Sequence, residues 1–149
     1  MTADEKKITV VYIVGSGHCG STLFNILLNG HSRITALSEV SSLSRKTLER
    51  EARMNPHAVS FWEDVETCYE KAAGENFDAV DLSAPSMVQL ARMSGQRKAR
   101  YIEKNHHFFN CVCQLTGTNI LVDASKFWQR LYVLYRSTLF DVKVIHLIR

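Results

Sequence analysis

The hydrophobic pattern begins at ITVVYIV, Ile8 to Val14, a nearly unbroken apolar run rich in β-branched residues. A run of this length without polar alternation predicts a strand covered on both faces, as in a parallel sheet. The polar, glycine-rich stretch GSGHCGST follows, Gly15 to Thr22, and then the period changes. Leu23, Phe24, Ile26, Leu27 and Leu28 fill most of the circumference of a helix running from Ser21 to Asn29, which predicts a deeply buried helix. Asn29-Gly30 is its stop signal. Strand, glycine turn and helix in this order make half of a βαβ unit.

Arg33 to Leu37 predicts a second short strand. From Val40 to about Cys113 the pattern is helical, punctuated at Asn55-Pro56, Gly74, Ala84-Pro85 and Ser94-Gly95. These helices are expected to pack over one face of the sheet. Within them Phe61, Trp62, Tyr69 and His106 line either a pocket or the core. Asn119 to Val122 is another brief apolar strand and ends in Asp123-Ala-Ser-Lys126. A helix through LYVLY to about Ser137 and a last strand from Val142 to Ile148 complete the pattern.

Strands alternating with helices predict a three-layer, P-loop-like α/β fold with a mainly parallel sheet flanked by helices. There is no internal repeat and no low-complexity segment. The expected organisation is one domain: a polar N-terminus (1–7), the first strand, loop and helix (8–39), the helical middle (40–113), and the Asp-Ala-Ser-Lys segment with the last strand (118–149). A core strand with nothing after it implies a fragment, the N-terminal portion of a longer domain truncated after that strand.

Composition narrows the partners. With 149 residues, 46% hydrophobic and 22% charged, the chain is long enough for one sizeable core. A formal net charge of +3 suits anionic small molecules. It falls short of a nucleic-acid footprint, because RKTLER and QRKAR read as solvated helix faces rather than a one-sided basic patch. No apolar stretch approaches the ~18 residues of a membrane span. The N-terminus MTADEKK carries no signal-peptide core, so cytoplasmic placement is expected. The four cysteines (Cys19, Cys68, Cys111, Cys113) lack zinc-site spacing. Cys68, Cys111 and Cys113 are expected to be reduced, mostly buried side chains on helices.

In an open parallel sheet, ligands sit at the carboxyl ends of the strands. Three chemically loaded features fall there: the glycine loop, Asp123 to Lys126, and Arg149. Gly15, Gly17 and Gly20 permit positive φ and close approach, so successive amides can converge on one anion at a helix N-terminus. Ser21 and Thr22 can donate hydroxyls to phosphate oxygens. A nucleotide-hydrolysing loop carries a lysine where Ser21 stands, together with Mg²⁺ on a hydroxyl and on an acidic residue such as Asp123. The missing lysine weakens that reading without removing it.

VYIVGSGHCGSTLFNILLNGHSRITALSEV, LVDASKFWQRL and KVIHLIR together resemble the sulfotransferases that use 3′-phosphoadenosine-5′-phosphosulfate (PAPS). His18, Cys19, Gly20, Ser21, Thr22 and Leu23 match that family's pattern of basic residue, Ser, Gly, Ser/Thr, Thr, Leu in order. The resemblance implies a metal-independent, in-line sulfonate transfer to a hydroxyl or amine acceptor, with adenosine 3′,5′-bisphosphate as product. It implies that Gly17 to Leu23 hold the 5′-phosphosulfate, with His18 against the transferring group where the family has Arg or Lys. By the same comparison Arg149 binds the 3′-phosphate, Glu39 of LSEV is the catalytic carboxylate, and Lys126 lies near the sulfonate. His18 departs from a permanent cation, so its charge depends on pH near neutrality.

Each of these residues has a plainer role. His18 could be an ordinary loop residue, Glu39 a helix cap, Lys126 a surface lysine, and Asp123 an organiser of its own loop. Two other functions stay open at this stage: a P-loop nucleotide kinase or NTPase, and a truncated, non-catalytic nucleotide-binding domain. Acceptor and oligomeric state are not encoded in any recognisable pattern.

Overall fold

The computed structural model describes residues 7–43, 56–77 and 82–148, with side chains in the second segment from residue 60. In chain order it comprises β1 (Ile8–Gly15), α1 (Ser21–Asn29), β2 (Thr35–Ala36), a 3₁₀ turn (Val40–Ser42), α2 (Pro56–Ala73), α3 (Met87–Arg92), α4 (Gly95–Thr116), β3 (Ile120–Lys126), α5 (Trp128–Tyr135) and β4 (Phe140–Leu147). The four strands form one sheet in the order β2-β3-β1-β4, and every pair is parallel. The chain is thus an α/β domain with a parallel sheet flanked by helices. No helix among the described residues is long and apolar enough to cross a membrane.

The unbroken apolar run of β1 follows from its central position. Ile8, Val10 and Tyr12 point into the larger core, among Tyr69 of α2, Phe108 and Phe109 of α4, and Leu134 of α5. Ile13 points the other way and meets Val122 and Ala124 of β3, with Phe24 and Leu28 of α1 packed against them. Both faces are covered, so both sets of alternate positions are mostly apolar. Tyr69 belongs to the core, and Phe61 and Trp62 pack against it. The His106 ring lies 5.9 Å from that of Phe140, tilted at 48°.

Local signals set the helix ends. Ser86 and Gln89 form a reciprocal capping box at the start of α3, following Pro85. The Ser94 hydroxyl accepts from the Arg97 amide to start α4. Gly117, at φ 69°, ends it in the left-handed conformation.

Two expectations fail. The helix α1 is not deeply buried: Leu23, Ile26 and Leu27 are 62–65% exposed, while Ser21 and Asn25 are buried. Phe24 and Leu28, one turn apart, are the pair that reaches the sheet. Apolar side chains do surround α1, but among the described residues no second helix packs on its face, and its outer side carries the exposed Leu23, Ile26 and Leu27. The second failure concerns the thiols. Cys68 of α2 and Cys111 of α4 form a disulfide across antiparallel-neighbour positions 5.8 Å apart at Cα, which ties the two long helices together. Their separation of 43 residues gave no sequence signal, because only the packing of α2 on α4 brings them together.

Cys19 and Cys113 are the free thiols. Burial pushes the Cys113 thiol up to about 11, so it stays protonated near neutrality. Titration of the unfolded, non-reduced chain with a thiol reagent should count two reactive cysteines, and four would refute the Cys68–Cys111 pairing. In the folded chain, Cys113 should alkylate only as the pH climbs toward about 11. Closing a loop of this length should stabilise the fold by up to about 4 kcal/mol on chain-entropy grounds, read as the difference between urea unfolding with and without reductant.

Candidate functional site

The connections leaving two adjacent strands diverge. After β1 the chain crosses to α1 on one face of the sheet, and after β3 it crosses to α5 on the other. In a parallel α/β sheet, ligands usually sit at the carboxyl ends of neighbouring strands whose connections diverge in this way. The glycine loop and Lys126 lie at that end of β1 and β3.

In the loop, His18 (φ 62°) and Gly20 (φ 85°) both adopt the left-handed conformation. Left-handed residues within a turn let successive N–H groups converge, the geometry of an anion nest. The glycine reading needs one correction. Gly17 has neither a positive φ nor a crowded Cβ position, and the residue that takes the left-handed turn beside it is His18. Gly15 is constrained differently, since a Cβ there would lie 2.8 Å from the Cys19 sulfur and 2.9 Å from the Leu147 carbonyl oxygen. The loop therefore lies tight against β4. Gly20 is the N-cap of α1 and supplies no side-chain cap, although its carbonyl accepts the Phe24 amide at 3.0 Å. Ser21 is buried at the first helical position, while Thr22 and Leu23 face solvent.

Lys126 arrives beside this loop through an irregularity in β3. Tyr12 of β1 is opposite Asp123, but Val14 is opposite Lys126, so β3 accommodates one extra residue and bulges. Lys126 itself has φ 67°, a left-handed value that a non-glycine residue holds only when its surroundings impose it. Its ammonium contacts the Glu39 carboxylate, and both side chains keep partial access to solvent. Glu39 follows the two-residue strand β2, whose ladder onto β3 extends through Leu37 (amide to the Val122 carbonyl, 3.0 Å) and Ser38 (carbonyl accepting the Ala124 amide, 2.7 Å). Glu39 occupies the N-cap of the 3₁₀ turn without a side-chain bond to that turn's backbone. The capping role considered from sequence is therefore absent.

Asp123 is consumed by its own surroundings, as the plainer sequence reading expected. One carboxylate oxygen accepts the Ser125 amide at 3.0 Å and the Ser125 hydroxyl, and the other accepts Nε of Arg130 at 2.9 Å. Both partners of this ion pair have no exposed side-chain surface. Arg130 also donates through Nη1 to the Leu82 carbonyl (2.9 Å) and the Tyr101 hydroxyl (2.7 Å). Burial works against the Arg130 charge, but Asp123 and the Tyr101 and Tyr12 oxygens outweigh it and hold the guanidinium firmly protonated. Burial, reinforced by Asp123, pushes the Tyr12 phenol upward, so it remains a donor to the Phe127 carbonyl at 2.9 Å.

Of the residues singled out from sequence, the loop, Glu39 and Lys126 come together at one end of the sheet. Leu147 lies opposite Gly15 in the sheet register, which carries β4 to the same end. Arg149 lies outside the described residues. Sequence reasoning missed Arg130, Ser125 and Tyr101. The available signal was an arginine inside the otherwise apolar helix WQRLYVLY, seven residues after an aspartate at a strand end.

The two glycines give a steric test of the loop. Gly15→Ala should cost ~1–3 kcal/mol of stability, the range for overpacking against backbone that cannot yield. Gly17→Ala should stay within about 0.5 kcal/mol, as an open surface position does. Urea unfolding of both variants measures the contrast, and equal losses would contradict the loop's placement against β4.

Compared with family models, with curated proteins and with solved structures, the chain matches none.

Proposed function

We propose that this chain is a PAPS-dependent sulfotransferase domain that transfers a sulfonate from PAPS to a hydroxyl or amine acceptor. The observation that carries the reading is the Glu39–Lys126 contact beside the loop: a carboxylate and an ammonium meet where Lys126 stands opposite Val14, one residue before Gly15. A loop with two left-handed residues and an uncapped helix start fits a phosphate-type anion. The same features fit a nucleoside triphosphate. What weighs against the NTPase reading is Asp123, whose two oxygens are taken by Ser125 and Arg130 and so are not offered to a metal ion.

When bound, PAPS supplies an activated sulfonate whose S–O bond to the leaving phosphate breaks as a bond from sulfur to the acceptor forms. The chain's own groups then have separate tasks. Loop amides, Ser21 and Thr22 hold the 5′-phosphosulfate and stabilise charge growing on the leaving oxygen. Lys126, and His18 when it is protonated, supply positive charge at the same end of the sheet. Glu39 takes the proton released by the acceptor. Arg149, two residues beyond the end of β4, is assigned to the 3′-phosphate by the resemblance alone. The disulfide favours an oxidising compartment over the cytoplasmic placement expected from the polar N-terminus.

Calorimetry with adenosine 3′,5′-bisphosphate in a chelator-containing buffer should show binding, weakened at least ~10-fold by Lys126→Ala, the size of one lost charge-assisted contact. Binding of Mg²⁺-ATP with no preference for the 3′-phosphate would replace this reading with the kinase or NTPase one. Glu39→Gln should lower sulfonate transfer by ~10²-fold while leaving nucleotide affinity nearly intact. Unchanged turnover would remove Glu39 as the base.

A further inference from the structure

Glu39 sits on a short segment, a two-residue strand followed by a single 3₁₀ turn, yet it meets Lys126 at a defined point. Two hydrogen bonds hold that segment on either side of Glu39, and both come from β3. The Ala124 amide donates to the Ser38 carbonyl at 2.7 Å, and the Ser41 amide donates to the Ser125 hydroxyl oxygen at 2.9 Å. Lys126 belongs to the same strand. The relative placement of the carboxylate and the ammonium therefore depends on how firmly residues 124–126 hold residues 38–41.

The Ser125 hydroxyl is aimed rather than rotating. It is buried, and its proton is committed to Asp123, which leaves an oxygen lone pair for the Ser41 amide. Asp123 is in turn fixed by the Arg130 Nε bond, and Arg130 by the Leu82 carbonyl and the Tyr101 hydroxyl. A continuous series of bonds runs from helix α4, through the ion pair, to the amide two residues after Glu39. The bulge in β3 turns consecutive residues to different tasks, with Ser125 facing inward to Asp123 and Lys126 reaching Glu39.

We propose that Ser125, backed by Asp123 and Arg130, is a positioning residue that holds the Glu39 turn against Lys126. Its consequence for catalysis rests on the sulfotransferase reading, whereas the anchoring itself does not. Ser125→Ala is the informative substitution. It deletes the acceptor of the Ser41 amide and leaves the Asp123–Arg130 pair and its charges in place.

The test combines residue-resolved amide exchange by NMR with steady-state kinetics on the whole chain. In Ser125→Ala the Ser41 amide should exchange at least ~10-fold faster, as one local hydrogen bond is lost, while β1 amides keep their protection. The kcat for sulfonate transfer should fall ~10-fold with KM for PAPS unchanged within about twofold, since the loop that binds it is untouched. A purely structural role would instead lower protection throughout the sheet and raise KM with it. Faster Ser41 exchange with kcat unchanged overturns the positioning role. A Ser41 amide that exchanges at its unprotected rate in the unsubstituted protein overturns the anchoring, whatever the variant does. If the unsubstituted protein shows no transfer from PAPS, the sulfotransferase reading fails, and the exchange measurement decides the anchoring on its own.

Discussion

The buried pair of Asp123 and Arg130 is the constraint on which most of this structure depends. Neither side chain has access to water, so each charge is tolerable only because the other is present and the remaining donors are largely occupied. That requirement fixes more than two residues. Arg130 ties α5 to the Leu82 carbonyl and to Tyr101 on α4, while Asp123 orders the end of β3. Replacing one partner would strand the other, at a cost of roughly 3–5 kcal/mol. An apolar pair of equal volume could be more stable but would carry no directional bonds. The end of β3, α4 and α5 would then lose their common reference point.

The loop shows a related division between shape and charge. Its backbone conformation comes from His18 and Gly20, and its closeness to β4 from the absence of a Cβ at Gly15. No lysine is built into the loop. The ammonium comes from a different strand, delivered by a bulge and held by a carboxylate from the turn that follows β2. Positive charge beside the loop is therefore conditional on tertiary structure, whereas in a loop with its own lysine it is local.

How far the sequence was readable follows the range of each interaction. The bounds of α1 and the existence of β1 were legible because they depend on adjacent residues, an apolar run followed by glycines. Pro56 likewise marks the start of α2, and Gly74, Pro85 and Ser94-Gly95 mark the breaks between α2, α3 and α4. The exposure of Leu23, Ile26 and Leu27 was not legible, because an apolar surface does not reveal what covers it. The disulfide and the Arg130 network join residues distant in sequence and needed the packing of α2, α4 and α5. The site lies between these cases. Glu39, Lys126 and the loop could each be assigned to a strand end, but their meeting depends on one extra residue in β3, and no local pattern announces a bulge.

The position of β1 in the sheet has a consequence for how the protein is made. β1 is the first strand among the described residues, yet its two neighbours are β3 and β4, with Thr9 opposite Ile120 and Asp141. During synthesis β1 leaves the ribosome well before its partners, which lie more than a hundred residues behind it. At ~5–20 residues per second the wait lasts several seconds or longer, with both edges of β1 unpaired. The helical middle can fold from local contacts in that interval, but the sheet around β1 cannot form until β3 and β4 have been made. A candidate site assembled from strand ends this far apart in sequence thus forms only after β4 has been made, and the nascent β1 needs protection until then.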